Sequence, residues 1–560
     1  MCGIFAAITP KEVKCTFAPR AVELLKHRGP NMQGSGTVRL AWANVTLGMS
    51  RLRIVDQREL FVPYVFKNGV SLAFNGEIYN WQSLRRELPG PWETNCDAEV
   101  VAKAWRSWGP GCLERFNGMW GLVLVDTLTN EVFITRDRAG EKPVYWTRAG
   151  DCLYIASEPK ALPVALTEGA CVEYDVLEFD CGETTTFENV YTLAPGSYFH
   201  LKSGIDDLLP TRWWELQPTP EDNINIDKAT EELKELLIDA IHLRCSTEVP
   251  LAAQVSGGLD SAIVQAVCQS SNLYCVTFPA DGVDNLSGAS AAAPGKEIVP
   301  VSFTREDLLE ELPKIAYHLD TPATWTAVCQ WFMSKKIAAD GNVVVLCGEG
   351  ADELFGGYSR YRVLYWLERM LTDENLAAYQ PLIERTFGNS IEGLFLKMID
   401  RRRGQITDSV PVQILVETYT RNYTGDLVTR MGLFDFYTTM QVLLRMSDRM
   451  TAAFGRENRS PFFDYRVMEF SATLPSKVKV NEQHSKDILR RVARELGVSS
   501  YIVGEKTKRG FSVPSSWGNG RTWDRKWFVH EMEATWRKHV CRPALCKGAC
   551  KNASCASIIA

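Results

Sequence analysis

The sequence predicts an α/β protein of two unlike units: a sheet-rich, antiparallel first part, then a parallel-sheet part with a helical half. Three observations predict this. Up to about residue 200, short apolar runs alternate with Gly, Asn and Asp turns, the texture of antiparallel strands. Between 203 and 226 the chain is rich in breakers, with Gly204, Pro210, Pro218 and Pro220. Beyond it, strand-like and helix-like runs follow one another in β-α-β order, which builds a parallel sheet with a ligand edge at the strands' carboxyl ends. A chain of 560 residues is also too long for a single core. The boundaries read from these shifts are a first unit at 1–205, a linker at 206–226, a second unit at 227–520 and a tail at 521–560.

In the first unit, residues 70–74 ahead of Asn75-Gly76, 121–125 ahead of Asp126 and 132–135 ahead of Arg136-Asp137 read as strands closed by turns. In the second, Asp227 reads as a helix cap, with Leu233, Leu236, Leu237, Ala240 and Ile241 following at helical spacing. Residues 249–255 form an apolar strand, Ser256-Gly257-Gly258 a loop, 260–269 a helix and 273–278 a second strand. Residues 360–450 carry long helical periodicity, whereas 279–300 are rich in Ala, Gly and Ser and lack it.

The composition is that of a soluble globular protein, 45% apolar and 23% charged. A net charge of −6 argues against a general nucleic-acid binder, and the densest basic run, Arg401-Arg402-Arg403, reads as a solvated helix face. The opening Met-Cys-Gly-Ile-Phe has no basic region or long apolar stretch of a signal peptide, and nowhere do about 20 apolar residues run together as a membrane span requires. Sixteen cysteines, mostly scattered singly and several in apolar runs, suit reduced thiols and a cytoplasmic location. Cys541, Cys546, Cys550 and Cys555 crowd the tail without a standard zinc spacing, and metal binding there stays open.

A cysteine directly after the initiator methionine has chemical consequences. Removal of Met1 would leave Cys2 with both a thiol nucleophile and a free α-amine, which titrates near neutrality at about 7.7–8.0 and can act as its base. A chance cysteine is the alternative. The context favours the nucleophile: Cys2-Gly3-Ile4, His27-Arg28-Gly29-Pro30, Arg51-Leu52-x-Ile54-Val55-Asp56, Asn75-Gly76-Glu77-Ile78-Tyr79-Asn80, Asp97-x-Glu99 and Arg136-Asp137 occur in that order. Together they resemble the glutaminase domain of the class II glutamine amidotransferases, which implies an N-terminal-nucleophile αββα sandwich over the first unit. The resemblance makes the Asn75 side chain and the Gly76 N–H the oxyanion donors. It matches Arg51 to the glutamine carboxylate and Asp97, with Glu77, to its ammonium, while Leu52, Ile54 and Val55 complete the glutamine site. Of the seven histidines only His27 falls in these motifs, and since the α-amine of Cys2 can act as base, no Cys–His pair is required.

The second site begins at Ser256-Gly257-Gly258-Leu259-Asp260-Ser261, after a strand and at a helix start. Glycines admit a polyanion to the backbone, and hydroxyls and helix N–H groups bond its oxygens. The Walker lysine and spacing are missing. The loop resembles that of the ATP pyrophosphatases, and Gly348-Glu349-Gly350-Ala351-Asp352-Glu353-Leu354-Phe355-Gly356-Gly357-Tyr358 closely resembles the asparagine synthetases. What that resemblance implies is ATP as co-substrate, with Mg²⁺ held by Asp260 and Asp352. Glu349 then stands near the acyl-adenylate, Lys486 stabilises phosphate, and Val255, Ser256, Gly257, Gly258, Ser261, Ala280, Cys347 and Gly348 contact the nucleotide. Asp448-Arg449-x-Thr451-Ala452, Arg459-Ser460-Pro461-Phe462-Phe463-Asp464 and Lys508-Arg509-Gly510-Phe511-Ser512 agree further, with a structural role open for each.

One stretch departs from the family. Where those synthetases carry Thr-Thr-x-Arg, this chain has Pro322-Ala323-Thr324-Trp325, and an indole cannot replace a guanidinium that bonds carboxylate or phosphate. Arg360 and Arg449 are the cations nearest by motif that could serve instead. The reading is therefore glutamine-dependent amidation of a carboxylate through an acyl-AMP, with L-aspartate as the favoured acceptor. Another small or natural-product carboxylate, or a non-catalytic homologue, are the alternatives. Partners are small molecules, and a homodimer stays open.

Overall fold

The computed structural model describes residues 1–169, 182–206, 208–221, 223–321, 325–372, 425–504, 514, 535 and 537–538. The Lys508–Ser512 motif, Arg401–Arg403, the four tail cysteines and residues 322–324 lie outside them.

The strand Gly3–Thr9 is buried on both faces. Ile4, Ala6 and Ile8 point into one cluster, while Phe5 and Ala7 point into another, as the two-residue period of a strand requires. The strand lies inside a six-stranded antiparallel sheet, between Cys152–Ala156 and Asn44–Arg51. A second six-stranded antiparallel sheet contains Gly118–Asp126 between Val70–Ile78 and Glu131–Arg136. Residues of both sheets, among them Ile4, Val45, Val123 and Ile134, share one inner core. Helix Ala18–Leu24 covers the outside of the first sheet, and helix Asp97–Trp108 packs its Val100 and Val101 outside the second. This is the αββα sandwich expected.

The second part is built on a five-stranded parallel sheet in the order Ile298–Val301, Leu273–Val276, Leu251–Gln254, Val344–Leu346, Glu457–Arg459. Helices Leu259–Cys268, Arg305–Leu319 and Trp325–Ala339 connect or flank it, and Ser359–Thr372, Leu427–Tyr437 and Thr439–Ala452 make up the described share of the helical half. Among the described residues no helix is long and apolar enough to cross a membrane.

Several local expectations change. Asn75-Gly76 is not a turn: the strand runs on to Ile78, pairing Asn75 with Gly121 and Gly76 with Trp120. The helix read from Asp227 starts at Ile226, and Asn225 caps it by accepting from the Asp227 and Lys228 N–H groups. The stretch 203–226 includes a two-residue strand, Thr211–Arg212, that joins the edge of the second antiparallel sheet. The segment 279–300 holds a helix after all, Leu286–Ala292, whose small residues Gly288 and Ala289 pack closely beside the loop at Gly257.

Candidate active sites

The first site forms where the two antiparallel sheets meet at their ends. Cys2 stands just ahead of the central strand, and its N–H donates to Asn75 Oδ1 at 2.9 Å. The Asn75 side chain is fully buried and its Nδ2 has no hydrogen-bond partner, an unusual state for a buried donor. Gly76 has no alternative residue: a Cβ there would stand 2.1 Å from the Met119 carbonyl oxygen on the neighbouring strand. Burial pushes the Cys2 thiol pKa up, against the nearby α-amine and Arg51, which lower it.

The other residues read as glutamine contacts gather around these. Arg51 ends the strand Asn44–Arg51 and is buried, donating to the carbonyls of Val55 (3.0 Å), Asp56 (2.7 Å) and Arg58 (3.0 Å). It therefore holds the 52–58 loop in shape. Leu52, Ile54 and Val55 of that loop pack on Val344 of the parallel sheet, so this wall is shared between the two parts. Asp97 opens helix Asp97–Trp108, and its carboxylate accepts from the Ile78 and Ala98 N–H groups at 3.0 Å. Burial lifts its pKa to about 6. Burial and the Asp97 charge likewise raise that of Glu77, whose Oε2 lies 3.4 Å from Arg459 Nη2.

The second site lies at the carboxyl edge of the parallel sheet. Gly257, at φ +74°, lets the chain turn from strand to helix, and a Cβ there would come within 2.6 Å of the Gly288 backbone. Ser261 Oγ accepts from the Ser256 N–H at 3.2 Å, which ties the loop to the first turn of helix Leu259–Cys268. Beside it, strand Val344–Leu346 leads into Cys347-Gly348-Glu349 and the short helix Ala351–Phe355 carrying Asp352. Lys486 bridges the two: its Nζ lies 2.6 Å from Asp260 Oδ2 and 2.7 Å from Asp352 Oδ1. Burial would lower the Lys486 pKa, but the two carboxylates more than reverse this and hold it above the usual lysine range.

A cavity of about 360 Å³ opens here, lined by Val255, Ser256, Asp260, Ser261, Cys347, Gly348, Glu349 and Asp352 among others. Glu349 is a half-buried acid in its wall. Its carboxylate accepts from the Ser447 hydroxyl and from Asn458 Nδ2 at 3.3 Å, yet burial still pushes its pKa up to about 7. Ser447 and Asn458 escaped the sequence reading although each adjoins a quoted motif, Asp448-Arg449 and Arg459-Ser460-Pro461 respectively.

Three expectations fail here. Ala280 sits in an exposed 3-10 turn, Pro279–Asp281, and does not line the cavity; Val276 and Asn285 do. Arg360 is paired with Asp435, and Arg449 is buried between Glu158 (2.8 Å) and Asp320 (3.4 Å), so neither faces the cavity. Among the described residues its lining includes no Lys or Arg. Nor do the described residues hold a cluster of three or more His, Cys, Asp or Glu arranged for a metal. Asp260 and Asp352 remain a fitting pair of hard oxygen donors, converging on one cation, for an ion whose other ligands are phosphates and water.

Comparison with known proteins decides the family. Residues 232–551 match the family described as asparagine synthase, and residues 1–214 match the glutamine amidotransferase domain. The chain belongs to the asparagine synthase family. The family match reaches into the stretch 521–560 that the sequence reading set apart as a tail. The chain is 29% identical over 555 residues to asparagine synthetase [glutamine-hydrolyzing] 1 of Bacillus subtilis, covering 91% of this chain and 84% of that protein. It is 28% identical over 575 residues to a putative asparagine synthetase of Mycobacterium bovis, covering 92% and 88%. Asparagine synthetase B of Escherichia coli is 31% identical over 388 residues, 64% of this chain and 65% of that one.

Proposed function

We propose that this member of the asparagine synthase family is a glutamine-hydrolysing, ATP-consuming ligase that amidates a carboxylate through an acyl-AMP. The observation that supports this best is the orphaned, buried Asn75 Nδ2 beside Cys2, a donor waiting for an oxyanion, in a chain that also holds the Asp260–Lys486–Asp352 triad. Burial lowers the Met1 amine pKa to about 6; the Cys2 nitrogen, buried beside Asn75, would become a free α-amine once Met1 is removed and is placed to take the thiol proton. The thiolate then attacks the glutamine amide, Asn75 and the Gly76 N–H hold the oxyanion, ammonia leaves, and water hydrolyses the thioester. Arg51 and Asp97, with Glu77, place the substrate's α-carboxylate and ammonium.

At the second site Ser256, Ser261 and the start of helix Leu259–Cys268 cradle the ATP phosphates, and Lys486 draws charge from them as the carboxylate oxygen attacks the α-phosphorus and pyrophosphate departs. Asp260 and Asp352 would hold Mg²⁺, which supplies charge neutralisation on the phosphates. Ammonia forms the C–N bond as the C–O bond to AMP breaks, and Glu349, with a pKa near 7, is placed to take the released proton.

L-Aspartate is the favoured acceptor. A second reading, another small or natural-product carboxylate, is favoured by the cation-free described lining of the cavity and by Trp325 at the start of helix Trp325–Ala339, one residue before the lining residue Thr326. Incubation of the Met1-free protein with glutamine, ATP-Mg²⁺ and a panel of acids, followed by mass spectrometry, separates the two. Amide product from aspartate supports the first, and product only from another acid supports the second. A protein that forms neither AMP nor glutamate under any condition overturns both.

A further inference from the structure

The layer between the two sites is charged and contains Met1. The Met1 side chain is buried, with Sδ 3.2 Å from Lys142 Nζ and 3.9 Å from Arg28 Nη2, and its amine is 3.7 Å from Glu457 Oε2. Each of these neighbours leads on toward Glu349. Lys142 Nζ lies 3.6 Å from Asp448 Oδ1, and Asp448 follows Ser447, the hydroxyl bonded to Glu349. Glu457 precedes Asn458, whose amide bonds both Glu349 and Cys347 at 3.3 Å. Arg28 reaches both ways: its Nε bonds the Cys2 carbonyl at 2.9 Å, and its Nη2 lies 2.8 Å from Asp448 Oδ2. Met1 thus stands between Cys2 and the groups bonded to Glu349, and the space it fills is bordered by Lys142, Glu457 and Arg28, so that its removal would open a chamber there.

Resting on the function just proposed, we infer that Lys142 is a specificity-determining residue for nitrogen transfer: it keeps the ammonia that passes through the place of Met1 in its neutral form. The chemistry demands selectivity. Ammonium has no lone pair and cannot attack an acyl-AMP, so an ammonium ion arriving at Glu349 is unproductive. In a buried chamber two like charges a few ångströms apart repel far more strongly than in water. A fixed lysine cation therefore disfavours a second cation in that space, and neutral ammonia passes without the penalty. Glu457 and Asp448 do not undo this, because Glu457 is held by Arg459 at 2.9 Å and the single Asp448 carboxylate is shared between two cations, Arg28 at 2.8 Å and Lys142 at 3.6 Å.

The test uses the mature, Met1-free enzyme with glutamine, ATP-Mg²⁺ and L-aspartate. It compares Lys142→Met, Lys142→Gln and Lys142→Arg for three quantities: glutamate release without ATP, pyrophosphate release with saturating ammonium chloride, and amide formed per glutamine hydrolysed. The expected result is that the Met and Gln variants keep both half-activities within about twofold while amide per glutamine falls at least threefold, the fall deepening as pH is lowered from 8 to 6.5. The Arg variant restores coupling. An unchanged ratio in the Met and Gln variants overturns the inference. So does loss of both half-activities in them with activity kept in the Arg variant, which would make Lys142 a folding residue. Absence of either half-activity from the unmodified enzyme would instead fail the proposed function, and the two failures are distinguishable.

Discussion

Lys486→Met is the sharpest perturbation of the second site. The lysine Nζ is within 2.7 Å of Asp260 and Asp352, and both carboxylates are about a fifth exposed, 19% and 18%. Each charge-assisted contact contributes about 1.5–3 kcal/mol, and removing the shared cation also leaves two like charges facing one another. The partial exposure of the carboxylates trims the sum, so a loss of about 2–4 kcal/mol is expected, which lowers the unfolding midpoint of the second part on the order of 5–10 °C. Millimolar Mg²⁺ should recover part of this, because the freed carboxylates are hard oxygen donors for it. Scanning calorimetry with and without Mg²⁺ measures the shift, and pyrophosphate and glutamate release measure the two activities. Pyrophosphate formation should vanish while glutamine cleavage persists. A variant that melts within a degree of the parent and still releases pyrophosphate would refute the assignment of Lys486 and its two carboxylates together.

Other expectations follow from single contacts. Cys2→Ala should abolish glutamine hydrolysis and leave ammonia-dependent pyrophosphate release, which separates the nucleophile from the second site in one assay pair. Ser447→Ala removes a hydrogen bond that lowers the Glu349 pKa; if Glu349 must be ionised to take a proton, the alkaline rise of ammonia-dependent synthesis, centred near pH 7, should move to higher pH. Comparing both proteins at equal total ammonium cancels the titration of ammonia itself, and coincident profiles would remove Glu349 from the proton-accepting role. Gly76→Ala should cut glutamine hydrolysis by at least a hundredfold, since its Cβ meets a neighbouring strand's carbonyl rather than a movable side chain, and parental hydrolysis would speak against the Gly76 donor. Trp325→Arg should raise aspartate affinity by about ten- to hundredfold if a charge-assisted contact was lost at that position, and lower it if the acceptor is a larger acid.

The local parts of the fold were legible because local patterns encode them. Apolar runs and breakers mark the strands around 70–78, 118–126 and 251–254, and the 3.6-residue spacing from Leu233 to Ile241 marks its helix. The site motifs were legible too, because close-packed backbone tolerates few residue types: a Cβ added at Gly76 or Gly257 would come within 2.1 to 2.6 Å of neighbouring backbone. Yet Asn75-Gly76 misled for a related reason. Asn-Gly is a strong turn signal, and here it stays in a strand because its purpose is the side chain of Asn75 and the bareness of Gly76, not a reversal of the chain.

What the sequence could not disclose is how the two parts meet, and the strand Glu457–Arg459 explains why. A buried parallel strand should read as an apolar run, whereas Glu-Asn-Arg reads as a solvated loop. It is a strand because Val344–Leu346, more than a hundred residues earlier, supplies its hydrogen bonds. It is charged because both neighbours of Asn458 turn to partners outside its own sheet: Glu457 toward the Met1 amine, and Arg459 toward Glu77 of the first site. Asn458 itself turns to Glu349 of the second. Strand alternation alone then puts consecutive side chains into opposite sites, three residues spanning the boundary. Such charges are tolerated in a dry interface only when paired; Glu457 and Arg459 bond each other at 2.9 Å, but their remaining partners, the Met1 amine and Glu77, come from distant segments that no window of local sequence contains.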